Sequence, residues 1–223
     1  MGKLSQTAAS ARFVLDSLRI TTLNPFIKPA PLGRFLTAGA MTSAAFLILL
    51  VLPLVTSQSY HWGACPDPKI QPNFNIEKYL GTWYEIEKLP ASFERGKCIE
   101  ANYNTRPDGT IQVLNSQFYK QKFRTVEGTA VIPDPREPAR LKVSFSYFTP
   151  YAPYWVLTTD YSTVAVVYSC TDVLHLFHID FAWILSRARF VQPQTVQYAK
   201  LLLAGEGVDV FRMKPTDQLG CKD

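Results

Sequence analysis

Four side chains could hold a bound molecule. In the stretch 99–104, Ile99, Ala101 and Tyr103 alternate with Glu100, Asn102 and Asn104. In the next run Ile111, Val113, Asn115 and Gln117 fall on one side, and further on Trp183 shares a face with Ile179, Phe181 and Leu185. Alternation with period two sends successive side chains to opposite faces of a strand, so Tyr103, Asn115, Gln117 and Trp183 are all expected on apolar faces. Two amides on such a face are unusual, because a buried amide costs free energy unless it is paired. A carboxylate or keto oxygen of a small ligand, or a trapped water, could pair them. The alternative is that this strand end lies at a rim where water solvates both. The chemistry these residues offer is binding: an apolar surface with a few polar groups to fix orientation.

Catalytic chemistry finds little material. His61, His175 and His178 form no motif with a serine or cysteine, and no G-x-S-x-G, H-E-x-x-H or phosphate loop occurs. No enzyme activity and no cofactor are expected. Cys65, Cys98, Cys170 and Cys221 are separated by 33, 72 and 51 residues, too far apart for the close pairs of a zinc site, so no metal is expected either. An even number of cysteines in an exported domain reads as two disulfides, with three connectivities open.

Export is indicated by the N-terminal region. The uncharged stretch 35–60 contains a strongly apolar run of ten residues, Phe46 to Val55. That length suits a signal peptide, which needs roughly 7–15, better than a membrane span of about 20. Val55-Thr56-Ser57 reads as a cleavage site that leaves Gln58 at the new N-terminus, so 1–57 is expected to be a leader and 58–223 the exported domain. Met41, just before the apolar run, is an alternative start. A retained leader would instead give a membrane-tethered or cell-surface interaction protein. The net charge of +5 resides mostly in the leader, whose five basic residues face one acid, leaving 18 basic and 17 acidic residues in 58–223. Nucleic-acid binding needs a clustered basic footprint, which this nearly neutral body lacks.

Eight strand-like runs position the candidate residues: 81–88, 99–104, 111–117, 126–132, 141–146, 154–159, 163–169 and 177–187. One segment reads as a helix, with Pro193 at its start, an apolar stripe of Val196, Ala199, Leu202 and Leu203, and Gly205 at its end. A final extended piece, 208–213, leads to Cys221. Eight consecutive antiparallel strands and one late helix predict an all-β fold, an eight-stranded antiparallel up-and-down barrel with the C-terminal α-helix packed outside.

Three separated motifs now coincide: Gly81-Thr82-Trp83 on the first predicted strand, Thr159-Asp160-Tyr161 between the sixth and seventh, and Arg187 ending the eighth. This set resembles the three conserved regions of the lipocalin family. The resemblance implies that Gly81, Trp83, Thr159, Asp160, Tyr161 and Arg187 are structural, with the arginine lying across the tryptophan at the closed end as a cation–π plug. It also selects one connectivity, Cys65–Cys170 and Cys98–Cys221. Some relatives carry a further cysteine two residues after the match to Cys170; Asp172 stands there, so no intermolecular disulfide is expected. For function, the resemblance implies a secreted carrier of a small hydrophobic ligand, a fatty acid such as arachidonate or a steroid such as progesterone, with Trp183 as a large aromatic wall of the pocket. The links expected at the open end contain Phe93, Phe118, Tyr119, Phe148, Tyr151, Leu174 and Leu176, with Lys120, Lys122 and Arg124 among them. They could dock on a lipoprotein or membrane surface, or fold over the cavity mouth.

Overall fold

The computed structural model describes residues 59–221. The expected leader, its cleavage site and the alternative start at Met41 lie outside them. Ten strands and two α-helices follow in chain order: β1 (Ser59–Trp62), α1 (Ile76–Tyr79), β2 (Gly81–Lys88), β3 (Lys97–Thr105), β4 (Ile111–Tyr119), β5 (Lys122–Val131), β6 (Arg140–Ser144), β7 (Ala152–Thr159), β8 (Val164–Val173), β9 (Phe177–Ser186), α2 (Pro193–Gly205) and β10 (Lys214–Pro215). Each strand from β2 to β9 pairs antiparallel with the next, and β9 pairs back onto β2. The eight strands therefore close into a barrel with no free edge along its wall.

Two short strands mend the places where β2 leaves its neighbours. The first half of β9 pairs with β1, Ser59 opposite Asp180 to Trp62 opposite Phe177, and its second half pairs with β2. On the other side β2 pairs with β3 only from Gly81 to Tyr84; beyond that β10 takes over, with Lys214 opposite Lys88. The Cys98 N–H donates to Asp217 O, so the C-terminal segment bridges β2 and β3 where they diverge.

Two apolar clusters define inside and outside. Trp83, Tyr103, Val113, Leu141, Val156, Val167 and Leu185 meet inside the barrel. Val166, Ala182 and Ile184, on the opposite faces of β8 and β9, pack outside against Ala199 and Leu203 of α2. Pro193 suits the start of α2, where its missing N–H would have no helical partner. Cys65–Cys170 ties the N-terminal segment to the outside of β8, and Cys98–Cys221 ties the C-terminus to β3, with Cα separations of 5.9 and 5.6 Å.

Three expectations need correction. A second helix exists: α1 is only four residues long, and its Asn75 cap accepts from Lys78 N. A helix that short carries no apolar stripe to read. The stretch 208–213 is not extended; Val210–Arg212 forms a 3₁₀ turn capped by the Asp209 carboxylate, and the strand comes after it. The last barrel strand ends at Ser186, because the Arg187 N–H turns to Thr163 O.

Candidate functional site

The floor of the barrel is built from the three motifs. Trp83 is completely buried, its indole N–H donates to Tyr79 O at 2.8 Å, and the Arg187 guanidinium lies 3.8 Å from its ring centre. Arg187 also donates to the carbonyls of Tyr161, Thr82, Lys78, Tyr79 and Leu80 at 2.8–3.2 Å. The planar fork of arginine suits such convergent acceptors. Gly81 has φ +88 and an added Cβ would lie 3.5 Å from the guanidinium, so a glycine fits the turn into β2. In the β7–β8 turn the Asp160 carboxylate accepts from the N–H groups of Ser162, Thr163 and Val164. Partial burial pushes its pKa up, but these donors prevail and hold it below the usual carboxylate range. Thr159 Oγ1 accepts from Tyr161 N and donates to Val164 O. This set closes one end of the barrel.

Above the floor runs a chain of phenols. Tyr79 and Tyr103 each bond the Tyr154 hydroxyl, at 2.9 and 2.7 Å. Burial pushes all three pKa values up, so the hydroxyls stay protonated and serve as neutral donors. Tyr103 thus faces inward as expected, but its hydroxyl is already engaged. Tyr154 links it to Trp183, the two rings stacking at 6.5 Å.

Higher still, the interior opens. Floor residues such as Val113 and Ala130 are 2% exposed, whereas Val126, on the same inner face of β5 and directly opposite Asn115, is 48% exposed. An inward side chain that remains half-exposed borders accessible space rather than packed core. Asn115 sits at this transition, and its amide oxygen is buried with no partner. It is not solvated at a rim. Gln117 departs from both readings of the sequence. Its Oε1 accepts from Arg95 N and Gly96 N at 3.1 and 2.8 Å, and its Nε2 donates to Phe93 O at 2.9 Å. The side chain is occupied in fastening the β2–β3 loop (89–96). Gly96 permits this approach, since a Cβ there would stand 2.8 Å from Gln117 Oε1.

One group escaped the sequence reading altogether. A register shift between Glu85 and Glu87 puts Glu85 opposite Leu185 and Lys88 opposite Trp183. In an unbroken strand, residues three apart point to opposite faces; the bulge brings both onto the inner one. Lys88 Nζ lies 2.7 Å from Glu85 and 3.4 Å from Glu94 Oε2, the same oxygen that accepts from Trp183 Nε1 at 3.0 Å. Thr216 donates to Glu85 from the C-terminal segment. Burial first, and the Glu94 carboxylate second, push Glu85 up to about 8 against the pull of Lys88 and Thr216. Lys88 thus lies between two carboxyl groups, of which Glu85 is held well above the usual carboxylate range. Period-two alternation cannot find such a cluster, although it could have placed Tyr154 on the face of Val156.

A closed eight-stranded barrel, plugged at one end by tryptophan and arginine and accessible above, defines a lipocalin. Residues 74–218 match the family model of the lipocalin-like domain, and the chain belongs to the lipocalin family. It is similar to apolipoprotein D of Mus musculus, 46% identical over 82% of this chain and 98% of that protein, and to the bilin-binding protein of Pieris brassicae, 33% identical over 72% and 88%. Among solved structures, insecticyanin of the tobacco hornworm Manduca sexta matches with a TM-score of 0.65 and 27% identity over 73% of this chain and 90% of that one. The family places this chain with ligand-binding barrels rather than with enzymes.

Proposed function

We propose that residues 58–223 form a secreted carrier that holds one small hydrophobic ligand in the upper half of the barrel and moves or sequesters it unchanged. The observation that carries this reading is the gradient along the inner face, from a sealed floor to the half-exposed Val126 beside the unpaired amide oxygen of Asn115. Asn115 and Trp183 are the contacts expected to touch ligand, with Tyr103 forming the bottom of the site through Tyr154. The two intramolecular disulfides suit an oxidising compartment, and a relative named for binding a bilin supports an apolar cargo.

A fatty acid such as arachidonate or a steroid such as progesterone fits the apolar wall. A buried methylene contributes roughly 0.8 kcal/mol, so about twelve give roughly 10 kcal/mol gross, of which lost ligand freedom removes about half or more. What remains from the chain alone, about 5 kcal/mol or less, corresponds to a dissociation constant on the order of 0.2 mM, so tighter binding draws on the ring contacts and polar groups of the site. Tryptophan fluorescence titration with both ligands tests the reading; no response from folded protein sinks it. N-terminal sequencing of the exported protein should begin at Gln58, and a retained leader would overturn secretion.

The open end supports docking on a lipoprotein or membrane surface. Phe148, Leu174 and Leu176 are well exposed, and Lys120, Lys122 and Arg124 stand exposed on the β4–β5 hairpin. Phe93 is also exposed, and one side of its ring packs on Phe181 with ring centres 5.5 Å apart. Flotation with lipid vesicles tests docking, and absence of co-flotation would refute it.

A further inference from the structure

Charge is spread unevenly around the open end of the barrel. The β4–β5 hairpin carries Lys120, Lys122 and Arg124, all exposed. Arg95 stands exposed in the adjoining loop, where its N–H donates to Gln117 of β4. Lys97 begins β3 directly opposite Phe118 of the same hairpin. Between 95 and 126 the only acids are Glu100 and Asp108. Glu100 is paired with Arg189 at 2.9 Å, and Asp108 lies in the β3–β4 turn at the closed end. None of the five basic residues forms an ion pair with another described residue. They are five of the 18 basic residues in 58–223, and the remainder of that domain holds 13 basic residues against 17 acidic ones. The domain is thus dipolar, positive on this side of the mouth and on balance negative elsewhere.

The hairpin sets its cations among rings. Lys120 Nζ and the Arg124 guanidinium each lie 5.5 Å from the Tyr119 ring centre, and Phe118 packs edge-on against Phe123 at 5.1 Å. The neighbouring links at this end are apolar and contain no acid: 145–151 has Tyr147 and Phe148 fully exposed, and 174–176 has Leu174 and Leu176 exposed. Asp172, just below the second of these, is bonded by the Cys65 N–H. One rim therefore presents unpaired cations and exposed apolar tips together. A sulfated polymer would pair the cations but has no apolar phase to receive the tips. An uncharged bilayer would receive the tips and leave the cations without counterparts. A leaflet with anionic head groups satisfies both.

We infer that the open rim docks on an anionic phospholipid surface, with the β4–β5 hairpin against the head groups and the tips of 145–151 and 174–176 in the interface beside it. The dipole turns the mouth toward the leaflet before contact. Once docked, the barrel opens onto the bilayer, and cargo passes between the two without crossing bulk water. The inference rests on the docking reading and narrows it, from any lipoprotein or membrane surface to one with anionic head groups. Each basic residue close to such a leaflet strengthens partition about fivefold, so the three cations of the hairpin together supply about 100-fold.

The test is flotation of the exported protein with two kinds of vesicle, phosphatidylcholine alone and phosphatidylcholine with about 30% phosphatidylserine. Wild type is compared with the triple variant Lys120→Gln, Lys122→Gln, Arg124→Gln. Wild type should bind the anionic vesicles about 100-fold more tightly than the neutral ones. The triple variant should lose most of that preference and bind neutral vesicles as wild type does. Raising salt from about 0.1 M to about 1 M shortens the Debye length from about 10 Å to about 3 Å and should remove the preference of wild type as well. If the variant fails to fold, this salt series decides alone. Equal binding of wild type to both vesicles overturns the anionic surface while docking stands, and so does a folded variant within about threefold of wild type on anionic vesicles. If wild type floats with neither, docking falls and this inference with it; retention on heparin would then assign the cations to a sulfated polymer.

Discussion

Gln117→Ala should loosen one loop and leave the barrel standing. The side chain makes three hydrogen bonds to the backbone of residues 93, 95 and 96; two are open to water and one is partly buried. Net values for such bonds run at about 0.5–1.5 kcal/mol, the exposed ones at the lower end, so the three together hold the loop by about 2 kcal/mol. At roughly 1.4 kcal/mol per factor of ten, losing them raises the population of the opened loop about 30-fold. The Phe93–Phe181 contact survives and sets a limit to the effect. Amide hydrogen exchange reads this directly. The N–H groups of Arg95 and Gly96, which now donate to Gln117, should lose protection about 30-fold, while those of the floor half of β4, Ile111 to Val113, should not change. Exchange at 95 and 96 within threefold of wild type would refute the latch, and equal acceleration across β4 would show that the whole barrel had weakened instead.

Other perturbations separate floor, seam and ion cluster. Arg187→Met removes five charge-assisted contacts and the cation–π plug; with water resolvating some carbonyls, the expected loss is about 3–5 kcal/mol in urea unfolding at unchanged m, and a loss below about 1 kcal/mol contradicts the plug. Substituting Cys98 and Cys221 with serine opens a cross-link spanning 123 residues, which should cost about 2–5 kcal/mol and free the segment 214–218 to proteolysis; a segment that stays protected would show that strand pairing alone holds it. Glu85 sits at about 8 in the fold against an ordinary 4.5, so across that interval the unfolded chain has released a proton that the folded chain keeps. Stability should therefore fall as pH rises from about 4.5 to about 8 and lose nothing more from this group above that. Thermal melts of Glu85→Gln should lack this component, and identical pH slopes for variant and wild type would discard it.

What the sequence determined by itself is what alternation and short motifs encode. The barrel strands were legible because each carries an apolar inner row, as in Ile111–Val113 and Leu141–Val143, and α2 was legible from Pro193 and its apolar stripe. The floor was legible because Trp83 and Arg187 stand in recognisable local contexts. Tertiary structure decided the rest. The fastening of Gln117 depends on a loop about twenty residues earlier in the chain folding back over the mouth, and no local pattern records that approach. The inward turn of Lys88 depends on a single bulge that breaks the period of two on which the whole reading relied. The short strands β1 and β10 exist only because β2 parts from its neighbours and leaves backbone groups to be paired. A strand's faces are a local property, fixed by the geometry of successive residues; which polar groups meet inside a closed barrel is fixed by register, bulges and loops, and these are set only when the ring closes.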